Sequence, residues 1–248
     1  MKKILFAAFL VVSALTLNAQ EKTNKAEVTE GPEIQAKKSY LSNVIGNDAT
    51  GYYITRYVKS KLLLEHINKD LVTDKSVEIP VKKLMYKENK RSYYGITMIG
   101  KNLYMLSSVN EKESNKVTLF AQAIDKSTLV PDDELKVIYS YTYAENRGGS
   151  RRSRAIEAYQ SYQFFYAISD DESRVLFYRN IGASETNPKE KMHLYVFDEK
   201  LKSQWENEVE LPYEAALFSI DGVRVDNDGN AFLTGTEYQD RKTSRESR

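Results

Sequence analysis

Few residues in this 248-residue chain have the types and spacing that support covalent or metal chemistry. His66 and His193 are its only histidines. A Ser/His/Asp relay needs one of them beside a nucleophile, but no Gly-x-Ser-x-Gly elbow is present. They stand four residues before Asp70 and five before Asp198, in two different apolar stretches, and read as separate half-buried strand residues. With no cysteine, a thiol nucleophile, a thiolate metal site and a disulfide framework are all excluded. Asp170-Asp171-Glu172 offers carboxylates of the kind glycoside hydrolysis uses, but neighbours in one turn read as solvent-facing. Asp226-x-Asp228-Gly229-Asn230 contains the start of a calcium loop. A full loop needs more oxygen ligands and a bidentate Glu; six residues after Gly229, where that Glu would be, stands Gly235. The stretch reads as a plain turn, and no metal, cofactor or catalytic residue is expected.

Two stretches suit binding instead. Arg147, Arg151, Arg152 and Arg154 lie in RGGSRRSR. Guanidinium forks match phosphate, sulfate and carboxylate, so the loop suits an anion or an acidic partner. The plainer reading is a solvated, protease-sensitive connection. Gly148-Gly149 is too short to cradle a phosphate. Tyr139, Tyr141 and Tyr143 alternate with Ser140 and Thr142, which puts the three rings on one face of a strand. They suit a stacking platform for a sugar or a peptide, or packing between sheets. Because the chain has 18 tyrosines, a single row is weak evidence for binding. These seven positions are the candidate partner contacts. Trp205, the only tryptophan, reads as packing.

The elements that position these residues are hairpins. Asp221–Tyr238 (DGVRVDNDGNAFLTGTEY) has β-forming apolar residues on both sides of an Asp228-Gly229 turn, where glycine supplies the positive φ. Related hairpins occur at Tyr40–Tyr57 (turn Gly46-Asn47-Asp48), Gly95–Ser108 and Phe164–Arg179, with Tyr53, Tyr104, Leu176 and Phe232 at corresponding positions. A second type follows three of the four: Leu62–Pro80, Val117–Tyr139 and His193–Tyr213. Each has a polar turn that opens on Asn or Asp and ends in Leu: Asn68 to Leu71, Asp125 to Leu129, Asp198 to Leu201. The opening residue caps the turn by bonding its own backbone. The links Val109–Lys116 and Asn180–Met192 are polar and loop-like. The unit is thus four antiparallel strands in about 50 to 70 residues, the size of a long propeller repeat.

On the Asp-x-Asp-Gly-Asn and Asp-x-x-Leu hairpins, residues 40–238 resemble the β-propeller repeat proteins exported by gram-negative bacteria. The fold expected is all-β: a propeller-like array of four-stranded blades, about three and a half of them. Four first hairpins against three second hairpins make the array incomplete, since open blades leave unpaired edges. The repeat domain is placed at 39–248 and expected to be truncated at its C-terminal end, with a strand supplied by the leader, or self-association through an open blade edge, as the other outcomes.

Residues 1–19 read as a signal peptide, with Lys2-Lys3, an apolar Ile4–Leu15 and a Leu17-Asn18-Ala19 cleavage site. The apolar run is too short to span a bilayer, and no other segment is a membrane span. Residues 20–38 read as a flexible leader. The chain is 41% hydrophobic and 29% charged, which suits a domain with a real core. The formal charge is +1. Without Lys2 and Lys3, the 36 basic residues fall to 34 against 35 acidic ones, a balance with no bulk attraction to nucleic acid. The function expected is non-catalytic: an exported protein of the periplasm, outer membrane or cell exterior that uses a propeller surface to hold an envelope protein or glycan. The alternative is the propeller portion of a secreted peptidase or glycosidase whose catalytic part lies elsewhere.

Overall fold

A computed structural model describes residues 30–32, 38–142, 164–181 and 188–239. The chain divides into two units, Met1–Ile34 and Gln35–Arg248, and all described strands belong to the second. The signal segment 1–19 lies outside the described residues. No described helix is long and apolar enough to cross a membrane.

The second unit is all-β. Its first blade is β1 (Ser39–Asp48), β2 (Gly51–Val58), β3 (Lys61–Asn68) and β4 (Thr73–Ile79), paired in sequence order. The second blade is β5 (Met85–Tyr86), β6 (Asn89–Ile99), β7 (Asn102–Glu111), β8 (Lys116–Ile124) and β9 (Lys136–Thr142). The third is β10 (Phe165–Ile168), β11 (Arg174–Asn180), β12 (Lys189–Asp198) and β13 (Ser203–Glu214). The hairpin β14 (Phe218–Val225) and β15 (Ala231–Glu237) follows. All pairs are antiparallel. The described array is therefore three blades and one further hairpin, propeller-like as the repeats imply.

Several boundaries differ from the sequence reading: β6 begins at Asn89, ahead of Gly95, and β12 at Lys189, inside the link read as loop-like. The β1–β2 turn closes at Asp48 and Gly51, not at Gly46, because the Asp48 carboxylate accepts from the Thr50 N–H at 2.8 Å and stabilises a tighter turn. Gly46 lies inside β1, where a Cβ would run into Met98 of the second blade. The stretch Val109–Lys116 is ladder at both ends and turn only at 112–115: Val109 pairs with Thr118 and Glu111 with Lys116. The second blade also gains β5, too short to show a strand pattern.

The second-hairpin turns share one construction. Asn68 Oδ1 accepts from the N–H groups of Asp70 and Val72, and Asp198 Oδ1 from those of Lys200 and Lys202. Asp125 Oδ1 accepts from Ser127 and Thr128. Leu71, Leu129 and Leu201 then adopt φ of 59°, 61° and 58°. A left-handed leucine costs about 1–3 kcal/mol. Leu129 and Leu201 are fully buried in inter-blade cores, and burying a leucine contributes about 1.5–3 kcal/mol, which with the turn's hydrogen bonds offsets the strain. The Asp226 turn follows the same logic with Gly229 at φ 87°, and both Asp226 oxygens are occupied by Asp228 and Asn230. It is a plain turn, and among the described residues no group of three or more carboxylates and histidines is placed to hold a metal.

The blades pack face to face. One core joins the first and second blades through Tyr53, Leu62, Leu64, Met98 and Met105. Another joins the second and third through Tyr104, Leu119, Val175 and Phe177. The third joins the third blade to the last hairpin through Leu176, Met192, Val196, Phe218 and Val223. Tyr53, Tyr104 and Leu176 each face the following blade and are buried; Phe232, at the same position of β15, is 55% exposed. Trp205 packs against the third core and donates from Nε1 to Gly229 O at 2.9 Å.

The turn leucines give a test. Leu129→Ala and Leu201→Ala each lose about 2–5 kcal/mol of stability. Leu71→Ala, at a half-exposed position, loses about 1 kcal/mol. Urea midpoints followed by Trp205 fluorescence check the order; equal losses at all three would show that burial does not hold these turns.

Candidate functional site

The residues expected to meet a partner are placed as follows. Arg147, Arg151, Arg152, Arg154 and Tyr143 lie outside the described residues. Tyr139 and Tyr141, on β9, are only 5% and 9% exposed. Tyr139 stacks on Tyr195 of the third blade, with centroids 4.4 Å apart and planes 7° apart. His193 also stacks on Tyr195, with centroids 4.3 Å apart, and the Arg179 guanidinium lies 4.0 Å from the Tyr141 centroid. Burial raises the Tyr139 hydroxyl well above the ordinary tyrosine range and pushes Tyr195 up to about 12. At these two positions the row packs blade against blade and offers no platform. Asp171 in the β10–β11 turn is held low by the Ser173 N–H and hydroxyl and by Ser169; it is a solvent-facing turn residue.

His66 is not isolated. At the turn end of the first blade, its Nε2 lies 3.0 Å from Thr50 Oγ1 and its Nδ1 lies 2.6 Å from Asp74 Oδ1. Hydroxyl, imidazole and carboxylate are in the order of a nucleophilic relay. The Thr50 hydroxyl, however, donates to Asp48 Oδ1 at 2.5 Å, so its proton points away from His66. Asp48 Oδ2 accepts from Lys126 Nζ at 2.6 Å and from Tyr53 Oη at 3.1 Å. Lys126 belongs to the β8–β9 turn, so the network ties the first blade to the second. Burial alone would raise the Asp48 carboxyl, but Lys126 and Thr50 outweigh it and hold it well below the usual range. Asp74 is lowered chiefly by its bond to His66. This is a clamp between turns, and it does not activate the hydroxyl.

An open feature among the described residues is a cavity of about 440 Å³ between the third blade and the last hairpin. Phe165 on β10 and Tyr178 on β11 are cross-strand partners with stacked rings, 5.5 Å apart and 24° from parallel. Phe165 is 45% exposed. Asn180, Glu190, Ser219 and Asp221 supply polar groups, and the buried Met192 and Phe218 also line the space.

Both carboxylates stand where a ladder is irregular. The β12–β13 register shifts between Lys189 and Lys191, around Glu190, opposite a stretch of β13 that contains Pro212. Proline cannot donate to a ladder. The β14–β15 register shifts between Ile220 and Gly222, leaving Asp221 as the extra residue of a bulge. Bulges re-aim side chains and recur beside functional sites. Glu190 is 6% exposed; Asp221 is exposed and accepts from the Ser219 hydroxyl at 3.1 Å and the Thr236 hydroxyl at 2.6 Å. Burial raises the Tyr178 hydroxyl, and Arg224 draws it partly back. Alternation of apolar and polar residues does not reveal a bulge. The usable signal was Asp221-Gly222, a polar residue and a glycine inside a strand.

A scan against protein-family models and a search of curated proteins both find no match. Among solved structures, the chain is similar to an endo-arabinase from Bacteroides thetaiotaomicron, at TM-score 0.37 and 10% identity over 81% of this chain and 69% of that one. It is also similar to the WD40 domain of SCAP from fission yeast, at TM-score 0.31 and 10% identity over 82% of this chain and half of that one. Neither likeness assigns an activity to this chain.

The Asp48 clamp predicts an acid limit. A carboxyl held below its unfolded value of about 3.9 stabilises the fold fully above that pH, and the contribution is lost as pH falls toward the folded value. Lys126→Met therefore lowers the neutral-pH Tm and makes the decline in Tm below about pH 4 shallower. Melts across pH 2–7 check this; parallel curves for the two proteins would show that Lys126 does not hold Asp48.

Proposed function

We propose that this chain is an exported binding protein of the cell envelope that holds a glycan in the cavity between its third blade and last hairpin, without breaking a bond in it. The signal-like first 19 residues support export. The observation that carries the reading is the stacked Phe165–Tyr178 pair with one ring open to solvent, beside an amide, a hydroxyl and two carboxylates. Aromatic faces pack against the apolar face of a sugar ring, and the polar groups hydrogen-bond its hydroxyls. A mainly apolar cavity with a few convergent polar groups is the usual form of a small-ligand site. A protein partner would need a broader surface than this space provides.

One feature favours a second reading. Glycosidases use two carboxylates on either side of the scissile bond, and Glu190 and Asp221 share this cavity. Asp221, however, is held by two hydroxyls as an acceptor, an arrangement suited to ligand hydrogen bonding.

Titration calorimetry against a panel of soluble oligosaccharides tests the proposal. At least one should bind, and Phe165→Ala, at an exposed position, should weaken it about tenfold through loss of stacking worth about 1.4 kcal/mol. No binding across the panel would overturn the glycan reading, whether or not an envelope protein is captured. Release of new reducing ends would overturn the claim that no bond is broken.

A further inference from the structure

We propose that the first blade carries a second binding site, specific for a phosphomonoester, in a pocket of about 290 Å³ between the β2–β3 turn and the loop that follows β4. The site is independent of the glycan reading above. Lys59, Ser60 and Lys61 line it from the turn, and Lys82 and Lys83 from the loop. Leu62 and Ile79, each only 1% exposed, give it a fixed apolar base. Beyond β4 the chain turns twice: the Val81 N–H donates to Ile79 O and the Lys83 N–H to Pro80 O, both at 2.8 Å. These turns bring Lys82 and Lys83 to the same space as Lys59.

The charge here is one-sided. Glu78 is the one acidic residue among the described lining residues, and Lys61 Nζ holds it at 2.6 Å. Lys59, Lys82 and Lys83 form no ion pair with a described residue, so three ammonium groups line one small space without a neutralising carboxylate. The turn itself breaks a local rule. A two-residue hairpin loop with both residues left-handed favours Asn-Gly. Here the pair is Lys59-Ser60, at φ of 48° and 67°, the only adjacent left-handed residues among those described. Strained backbone of this kind collects at binding sites, where a side chain is needed that the turn alone would not select.

Phosphate suits this set. Lysine binds it as a compact point charge, whereas a planar carboxylate is matched best by an arginine fork, and no arginine lines the pocket among the described residues. A phosphomonoester is close to doubly negative at neutral pH, so it gains more from three cations than a monoanion does. The Ser60 hydroxyl adds a donor for a phosphate oxygen. No aromatic ring lines the pocket among the described residues, so recognition rests on charge and not on stacking a ring.

The test is calorimetry with glycerol 3-phosphate against glycerate, which carries a single carboxylate on the same three-carbon skeleton. The phosphate should bind at least about tenfold more tightly, and added salt should weaken it. Lys59→Gln, Lys82→Gln and Lys83→Gln, all at exposed positions, should each weaken it several-fold, while Lys101→Gln, on the β6–β7 turn, leaves it unchanged. The double change Lys59→Asn with Ser60→Gly should raise Tm by about 2–4 °C yet weaken phosphate binding about tenfold or more. That opposition separates a binding role from a structural one. Glycerate binding as tightly as the phosphate, or full affinity in the double variant, overturns the site. Co-sedimentation with phosphatidylcholine vesicles, with and without phosphatidic acid, identifies the source. Retention only on phosphatidic acid vesicles, lost in the double variant, assigns the phosphate to a lipid headgroup; binding of the soluble probe alone assigns it to a free phosphomonoester. Silence in both arms overturns the proposal and leaves the glycan reading standing.

Discussion

Every blade in this protein depends on the face-to-face burial of one twisted sheet against the next. A four-stranded sheet has two faces to cover, and in the second and third blades a neighbouring sheet covers each of them. The strands there are buried on both sides, as β7 and β8 are over most of their length. The same constraint explains why leucines accept a left-handed backbone at the turn, and why Gly46 leaves room for Met98. It also governs the polar residues drawn inside. Arg56 grips the buried Glu65 with two bonds of 2.8 and 2.6 Å, and Ser76 adds a third donor. Buried Arg91 finds Met85 O, Ser107 and Gln122, and burial presses its pKa below the ordinary arginine value. An unmatched charge in these layers would cost several kcal/mol.

Where the ladders are regular, the layers close; where they are not, they part. Between the third blade and the last hairpin, Leu176, Val196, Val223 and Val225 seal one end. Toward Asn180 the registers of β12–β13 and β14–β15 both slip, and the cavity opens there. The Asp48–Thr50–His66–Asp74 network is the converse case. It places a hydroxyl, an imidazole and a carboxylate in line, yet their bonds are spent on one another and on Lys126. Of the two clusters, only the one left open by irregular pairing has room for a ligand.

The hairpins were legible because their signals are local. Asp228-Gly229 and the Asn/Asp-to-Leu turns fix chain reversal within five residues, and strand patterns on either side fix the pairing. Tyr53, Tyr104, Leu176 and Phe232 were correctly matched across repeats, although only the packed structure shows why the last differs in exposure. What was not legible depends on distant chain segments. The β1–β2 turn moved because Asp48 caps Thr50, a choice that glycine position alone does not reveal. Tyr139 and Tyr141 pattern equally well as a platform or as core, and Tyr195, more than fifty residues away, decides for core. His66 looked solitary because Thr50 and Asp74 reach it through strand pairing. Glu190 and Asp221 were missed because two unrelated register shifts bring them to one space.

The most direct test of the account is where a bound glycan protects the backbone. With a saturating oligosaccharide ligand, hydrogen exchange should slow in Phe165–Ile168 and Phe218–Val225, with the Asp48–Gly51 turn unchanged. Protection confined to the first blade, or spread evenly over the chain, would contradict a site between the third blade and the last hairpin.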